Sequence, residues 1–135
     1  MKRLLSTKYS TGAFNTAMLL FRIVLGVLML LHGYEKLIHF QNHISDMPNF
    51  LGIGQKTTLI LVIFAEFFCS AILIIGLFTR FACIPLIITM CVALFQVHNA
   101  DFSGHGQAAT LYLSGYIVLF LLGPGKVSVD SMIGK

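Results

Sequence analysis

Four apolar runs, each about 17–25 residues long, alternate with short polar stretches along this chain. A helix crossing a hydrocarbon layer of roughly 30 Å needs about 20 such residues. The runs predict helices over 14–38, 57–78, 80–97 and 108–122. In the first run Arg22, Gly26, Met29, Gly33 and Lys36 are spaced four, three, four, three, the seam of a left-handed helix pair. Its two glycines let another backbone come close, as small residues do at membrane interfaces. In the second run Thr58, Ala65, Glu66, Cys69, Ser70 and Gly76 share one side, with Glu66 near the middle. Thr79-Arg80 makes a tight turn into the third run, where Ala82, Pro85, Thr89, Ala93 and Gln96 form a narrow stripe. Gln107, Thr110 and Ser114 mark the expected inward side of the fourth, which stops at Gly123-Pro124-Gly125. The connection over 40–56 carries the breakers Pro48, Gly52 and Gly54 and is expected as a short surface helix or re-entrant turn, with Phe50, Leu51 and Ile53 at headgroup level. Lys2, Arg3 and Lys8 before an apolar run imitate a signal peptide. That run is too long and lacks a small-residue cleavage site after it, so it is expected to be retained.

Composition turns these helices into membrane helices. The chain has 135 residues, 57% of them hydrophobic and only 10% charged, where a soluble domain averages about 25% charged. In lipid every backbone N–H and C=O needs an internal partner, which helices supply, and the alternating pattern of a membrane barrel is missing. The expectation is an all-α, single-domain integral membrane four-helix bundle in contact with the lipid bilayer. The net charge of +4 does not point to nucleic acid, because no basic stripe is interleaved with aromatics. Cys69, Cys83 and Cys91 lie inside apolar runs without CxxC spacing, so no disulfide framework is indicated.

With both termini inside, Lys2, Arg3, Lys8, Arg80, Lys126 and Lys135 lie on the inner side, against Lys36 and Lys56 outside. That bias favours an N-in, C-in orientation. His32, His39, His43, His98 and His105 then gather at the outer mouth with Glu35 and Asp101. Most of this chemistry sits in one stretch, His32 to His43, at the outer end of the first run.

The segments Leu31-His32-Gly33-Tyr34-Glu35-Lys36-Leu37, Ala65-Glu66, Gly76-Leu77-Phe78-Thr79-Arg80, Ala93-Leu94-Phe95 with His98, and Gly123-Pro124-Gly125-Lys126-Val127-Ser128-Val129-Asp130 resemble the DoxX family over nearly the whole chain. The resemblance implies a four-helix protein of the bacterial inner (cytoplasmic) membrane. It also implies an association with quinol-oxidising or thiosulfate:quinone complexes, quinone resistance or oxidative-stress partners. Many members carry an acidic residue just before the fourth helix, where this chain has Gln107.

A charge at mid-membrane costs on the order of 2.5–3.5 kcal/mol on insertion scales, so Arg22 and Glu66 are expected to face protein. They are candidates for a structural ion pair, and Glu66 alternatively for proton exchange or for binding the head of a lipid-soluble ligand such as a quinone. A quinone head needs donors to its carbonyl oxygens and a base for the hydroxyl protons. His32, Glu35, Lys36, Glu66, Arg80, Gln96 and His98 are the candidate contacts, with His32 and His98 flanking one pocket near the outer end. Glu35, His39 and His43, spaced four and four, form an alternative metal set, although no HExxH or CxxC motif accompanies them. Cys69 and Cys91 could approach at mid-depth, with packing the plainer role, and Tyr34, Tyr112 and Tyr116 read as interface or packing aromatics. Three functions are compatible with these residues. They are a redox-associated, quinone-handling subunit of a membrane oxidoreductase, a non-catalytic scaffold that packs on partners or its own copies, and a small proton or metal pathway. No self-sufficient catalytic motif is present.

Overall fold

The computed structural model describes residues 2–134, and every regular element among them is helical. We label the helices α1 (Thr11–Ile38), α2 (Phe40–Ile44), α3 (Gln55–Ile75), α4 (Thr79–Val97), α5 (Gln107–Leu122) and α6 (Val129–Ile133). One 3-10 turn, Phe50–Gly52, lies in the connection before α3. By length and composition α1, α3 and α4 can each cross a membrane, and α5 is a shorter apolar helix of 16 residues.

The ends of these helices follow from local chemistry. α1 begins three residues before its apolar run because the Ser10 hydroxyl accepts from Ala13 N at 3.0 Å, a side-chain N-cap. α3 stops at Ile75, three residues short of its apolar run, because Gly76 takes a left-handed conformation at φ 76° and closes the helix. α6 lies in a segment that hydrophobic periodicity leaves blank; Ser128 caps it through Ser131 N.

α1 and α3 pack antiparallel along the glycine seam. Met18, Arg22, Gly26, Met29 and Gly33 are all buried on this face. A Cβ on Gly33 would lie 2.7 Å from Phe67 N, and one on Gly26 would lie 2.5 Å from Ile74 Cγ1. Lipid tails are as apolar as leucine, so helices in a membrane gain from close van der Waals fit and not from hiding grease, and both contacts serve that fit. α4 packs most extensively on α5 through Ala82, Cys83, Leu86, Met90 and Leu94 against Ala109, Tyr116 and Leu119. α5 returns to α1, where Gly115 receives Leu25.

Two expected stripes are kept only in part. On α4 the most deeply buried row faces α5 and includes Ala82; Pro85, Thr89 and Ala93 are half-buried and line cavities on the α3 side, and Gln96 is exposed. On α5 Gln107 and Ser114 are exposed, and the inward face is Ala109, Gly115, Tyr116 and Leu119. The reason is that Thr110 Oγ1 donates to Gly106 O and Ser114 Oγ to Thr110 O, both at 2.9 Å. A hydroxyl satisfied on its own helix needs no place inside the protein.

Candidate functional site

The chemistry of the site starts with a buried ion pair. Lys36 Nζ donates to both carboxylate oxygens of Glu66, at 2.9 Å and 2.6 Å. The Glu66 side chain is 5% exposed and that of Lys36 19%. Two features of the backbone make this pair. Gly33, one turn before Lys36, brings α1 against the Glu66–Phe67 peptide. Within α3 the stretch Phe64–Cys69 is a π-helical turn, and Glu66 sits on it. Such turns insert an extra residue into a helix, re-aim its side chains, and recur at functional sites.

The pair lines a chamber of about 210 Å³ between α1, α3 and α4. Asp46, Met47 and Pro48, from the connection before α3, and Thr89 and His98, from α4 and its end, also line it. Gln55 Nε2 holds this connection in place by donating to Ser45 O at 3.3 Å and Met47 O at 2.9 Å. A second π-helical turn, Ala93–Val97, ends α4 and delivers His98, which is half-buried. The loop after His98 is built on Asp101, whose carboxylate accepts from Gly104 N and His105 N.

The expected Arg22–Glu66 pair does not form. The glycine register sets Glu66 opposite Gly33 and Ile74 opposite Arg22, so Lys36 reaches Glu66 first. Depth counted along separate helices leaves this register open by more than a turn, and only the contact between backbones decides it. Arg22 instead donates from Nε to Ile74 O at 3.3 Å, from Nη1 to Pro124 O at 2.7 Å, and from Nη2 to Val127 O at 2.8 Å. It is 2% exposed and gathers the end of α3 and the chain after α5 into one clasp. Asp130 completes the clasp: its carboxylate accepts from Phe78 N at 2.6 Å and Thr79 N at 2.8 Å, capping the start of α4. Its own N–H donates to Gly76 O at 2.9 Å. The Gly76–Arg80 and Gly123–Asp130 segments are therefore two halves of one structural device. Sequence periodicity could not pair them, because their contacts run through backbone groups.

Of the expected ligand contacts, the structure brings together Lys36, Glu66 and His98 and leaves four elsewhere. Arg80 lies at the clasp end, with its guanidinium against Gly123. Gln96 is exposed. His32 is exposed on the α5 side of α1, where its ring meets Tyr112 edge-on at 6.0 Å, so His32 and His98 do not flank one pocket. Glu35 is exposed and accepts from His43 Nε2 at 3.1 Å. The alternative metal set is not assembled: Glu35 and His43 meet, His39 ends α1, and no group of three such ligands converges among the described residues. Cys69, Cys83 and Cys91 are free thiols, and Cys69 and Cys83 belong to the core. Sequence reasoning missed Asp46 and Pro48, which enter the chamber only because the connection folds back over it.

Comparison with known proteins gives a family and no reaction. The DoxX family model matches residues 17–99. An uncharacterized protein of Haemophilus influenzae is 30% identical over 121 residues, covering 84% of this chain and 88% of that protein. No solved structure matches the chain.

Proposed function

The chain belongs to the DoxX family of membrane proteins, and from that premise we propose that it is a quinone- or quinol-handling subunit of a membrane oxidoreductase, a four-helix bundle of the bacterial inner membrane with both termini cytoplasmic. The observation that carries this reading is a buried Lys36–Glu66 pair forming the wall of a chamber that His98 also lines. An ammonium has three N–H donors and Glu66 takes two, so Lys36 keeps one for a ligand's carbonyl oxygen. Glu66 and the imidazole of His98 are the groups able to accept the two hydroxyl protons when a quinol is oxidised. The two electrons leave to a partner subunit that carries the redox centre. In this scheme Lys36 fixes the head beside the Glu66 carboxylate that takes the proton.

The test uses purified protein in lipid nanodiscs and decylubiquinone. Wild-type protein binds it. Lys36→Met and Glu66→Gln each lose a charge-assisted contact of about 1.5–3 kcal/mol, which weakens binding roughly 10- to 100-fold. His98→Ala, on the rim and tolerant of change, weakens it less, and His32→Ala leaves it unchanged. Absence of binding to wild-type protein, or binding indifferent to His98→Ala and Glu66→Gln, would overturn the reading. A co-purified oxidoreductase whose activity survives all these changes would assign the chain to scaffolding instead.

A further inference from the structure

Beside the chamber lies a second cavity of about 260 Å³, between α3 and α4. Val62, Thr89 and Val92 line both, so the two adjoin. We propose that this slot takes the apolar tail of the same ligand whose head occupies the chamber, and that the tail enters sideways from the membrane between Leu61 and Phe64 on α3 and Ile88 on α4. The inference rests on the chamber being a quinone-head site.

The chemistry of the slot suits hydrocarbon. Its polar side chains are Thr58 and Thr89, and each hydroxyl donates to its own helix or to the residue just before it. Thr58 Oγ1 donates to Gly54 O at 2.7 Å and Thr89 Oγ1 to Pro85 O at 2.8 Å. Thr58 Oγ1 also accepts from Phe50 N at 3.3 Å, so a polar group placed there would exchange its water for few remaining acceptors and no free side-chain donor. Leu61, Phe64 and Ile88 are half-exposed on the apolar outer face, so the slot opens where acyl chains would lie and not toward water.

The slot also has an identifiable origin. α3 carries its π-helical turn at Phe64–Cys69, and α4 carries Pro85 in its interior, where the missing N–H leaves Phe81 O without its usual helical donor. Both irregularities line or border the same gap, and before Phe64 α3 meets α4 only sparsely. Interiors are otherwise packed like organic crystals, so a gap of this size at two helix defects is a place made to be filled. Small-molecule sites span roughly 300–1,000 Å³. Neither cavity reaches that range alone, and the two together do.

The experiment compares two probes in nanodiscs, with binding corrected for partition into empty discs. One is decylubiquinone and the other the tail-less dimethoxy-methyl-benzoquinone. Wild-type protein is expected to bind the tailed probe at least tenfold more tightly. Ile88→Trp and, from the facing helix, Leu61→Trp each block the slot at residues that do not line the chamber. Each should bring the tailed probe down to the tail-less affinity and leave the tail-less probe within twofold of wild type. Because both positions face lipid, at least one variant should keep its wild-type elution profile, and that one is read. If the tail-less probe binds but the tailed one binds no better, or if neither tryptophan separates them, acyl chains fill the slot and this inference is overturned while the chamber reading stands. If neither probe binds wild-type protein, the chamber reading fails and takes the inference with it.

Discussion

Arg22 and Lys36 share one seam of α1, four and three residues from its glycines, and do opposite work. Arg22 spends its guanidinium on three backbone carbonyls, a fork that an ammonium cannot reproduce. Arg22→Lys is therefore expected to lower stability by ~2 kcal/mol and Arg22→Ala by ~4 kcal/mol, since each carbonyl left dry costs about 1–3 kcal/mol. The thermal midpoint in detergent checks this, and Arg22→Lys matching wild type would contradict the clasp. Lys36 has a side-chain partner instead, the Glu66 carboxylate. Removing Glu66 alone strands a half-buried ammonium at about 1–3 kcal/mol, whereas the double change Lys36→Met, Glu66→Leu is expected to recover most of that loss. A thermal-shift double-mutant cycle reads the coupling. The sequence indicates that Arg22 and Glu66 face protein, because mid-membrane charge is costly, and it puts Lys36 at the outer end of the first run. It does not show which cation meets Glu66, because a backbone carbonyl leaves no trace in residue type.

At the scale of elements, the two seam glycines are not equivalent. A methyl on Gly33 would press on the Phe67 N–H and Glu66 carbonyl carbon, which are backbone and cannot step aside. A methyl on Gly26 would meet Ile74 Cγ1 at 2.5 Å and Ser70 O at 3.3 Å, so its tightest clash is with a side chain and its backbone contact is looser than that of Gly33. Gly33→Ala should therefore destabilise by about 1–3 kcal/mol and Gly26→Ala by clearly less. Gly33→Ala should also weaken decylubiquinone binding, because α1 carries Lys36 away from Glu66 as it retreats. Equal losses at the two glycines would contradict the packing described. These glycines and the apolar runs were legible because helical spacing exposes them. The two π-helical turns and the closure of the 40–56 connection over the chamber were not, since neither changes the hydrophobic pattern. They are also what makes the site.

For the whole molecule, the question is which end faces the cytoplasm. Arg22, Asn15, the Gly76–Arg80 turn and the chain after α5 meet at one end, with Lys126 N donating to Asn15 Oδ1 at 3.1 Å. That end collects Lys2, Arg3, Lys8, Arg80 and Lys126 among the described residues. The other end holds Lys56 and Lys36, and Lys36 is turned into the chamber against Glu66. Cationic loops are retained on the cytoplasmic side. In the proposed N-in, C-in orientation His39, His43, His98 and His105 face the opposite compartment, at the same end as the chamber. Single cysteines placed in a background without Cys69, Cys83 and Cys91 test this. With a membrane-impermeant maleimide on intact cells, Ser103→Cys in the histidine-end loop should label at once. Ser6→Cys should label only after the membrane is opened. The reverse pattern would place Glu66 and His98 at the cytoplasmic mouth, so that protons released from a quinol would return to the cytoplasm and the chain could not help build a proton gradient. Labelling of both sites from outside would mean the ends described here do not lie on opposite faces of the membrane.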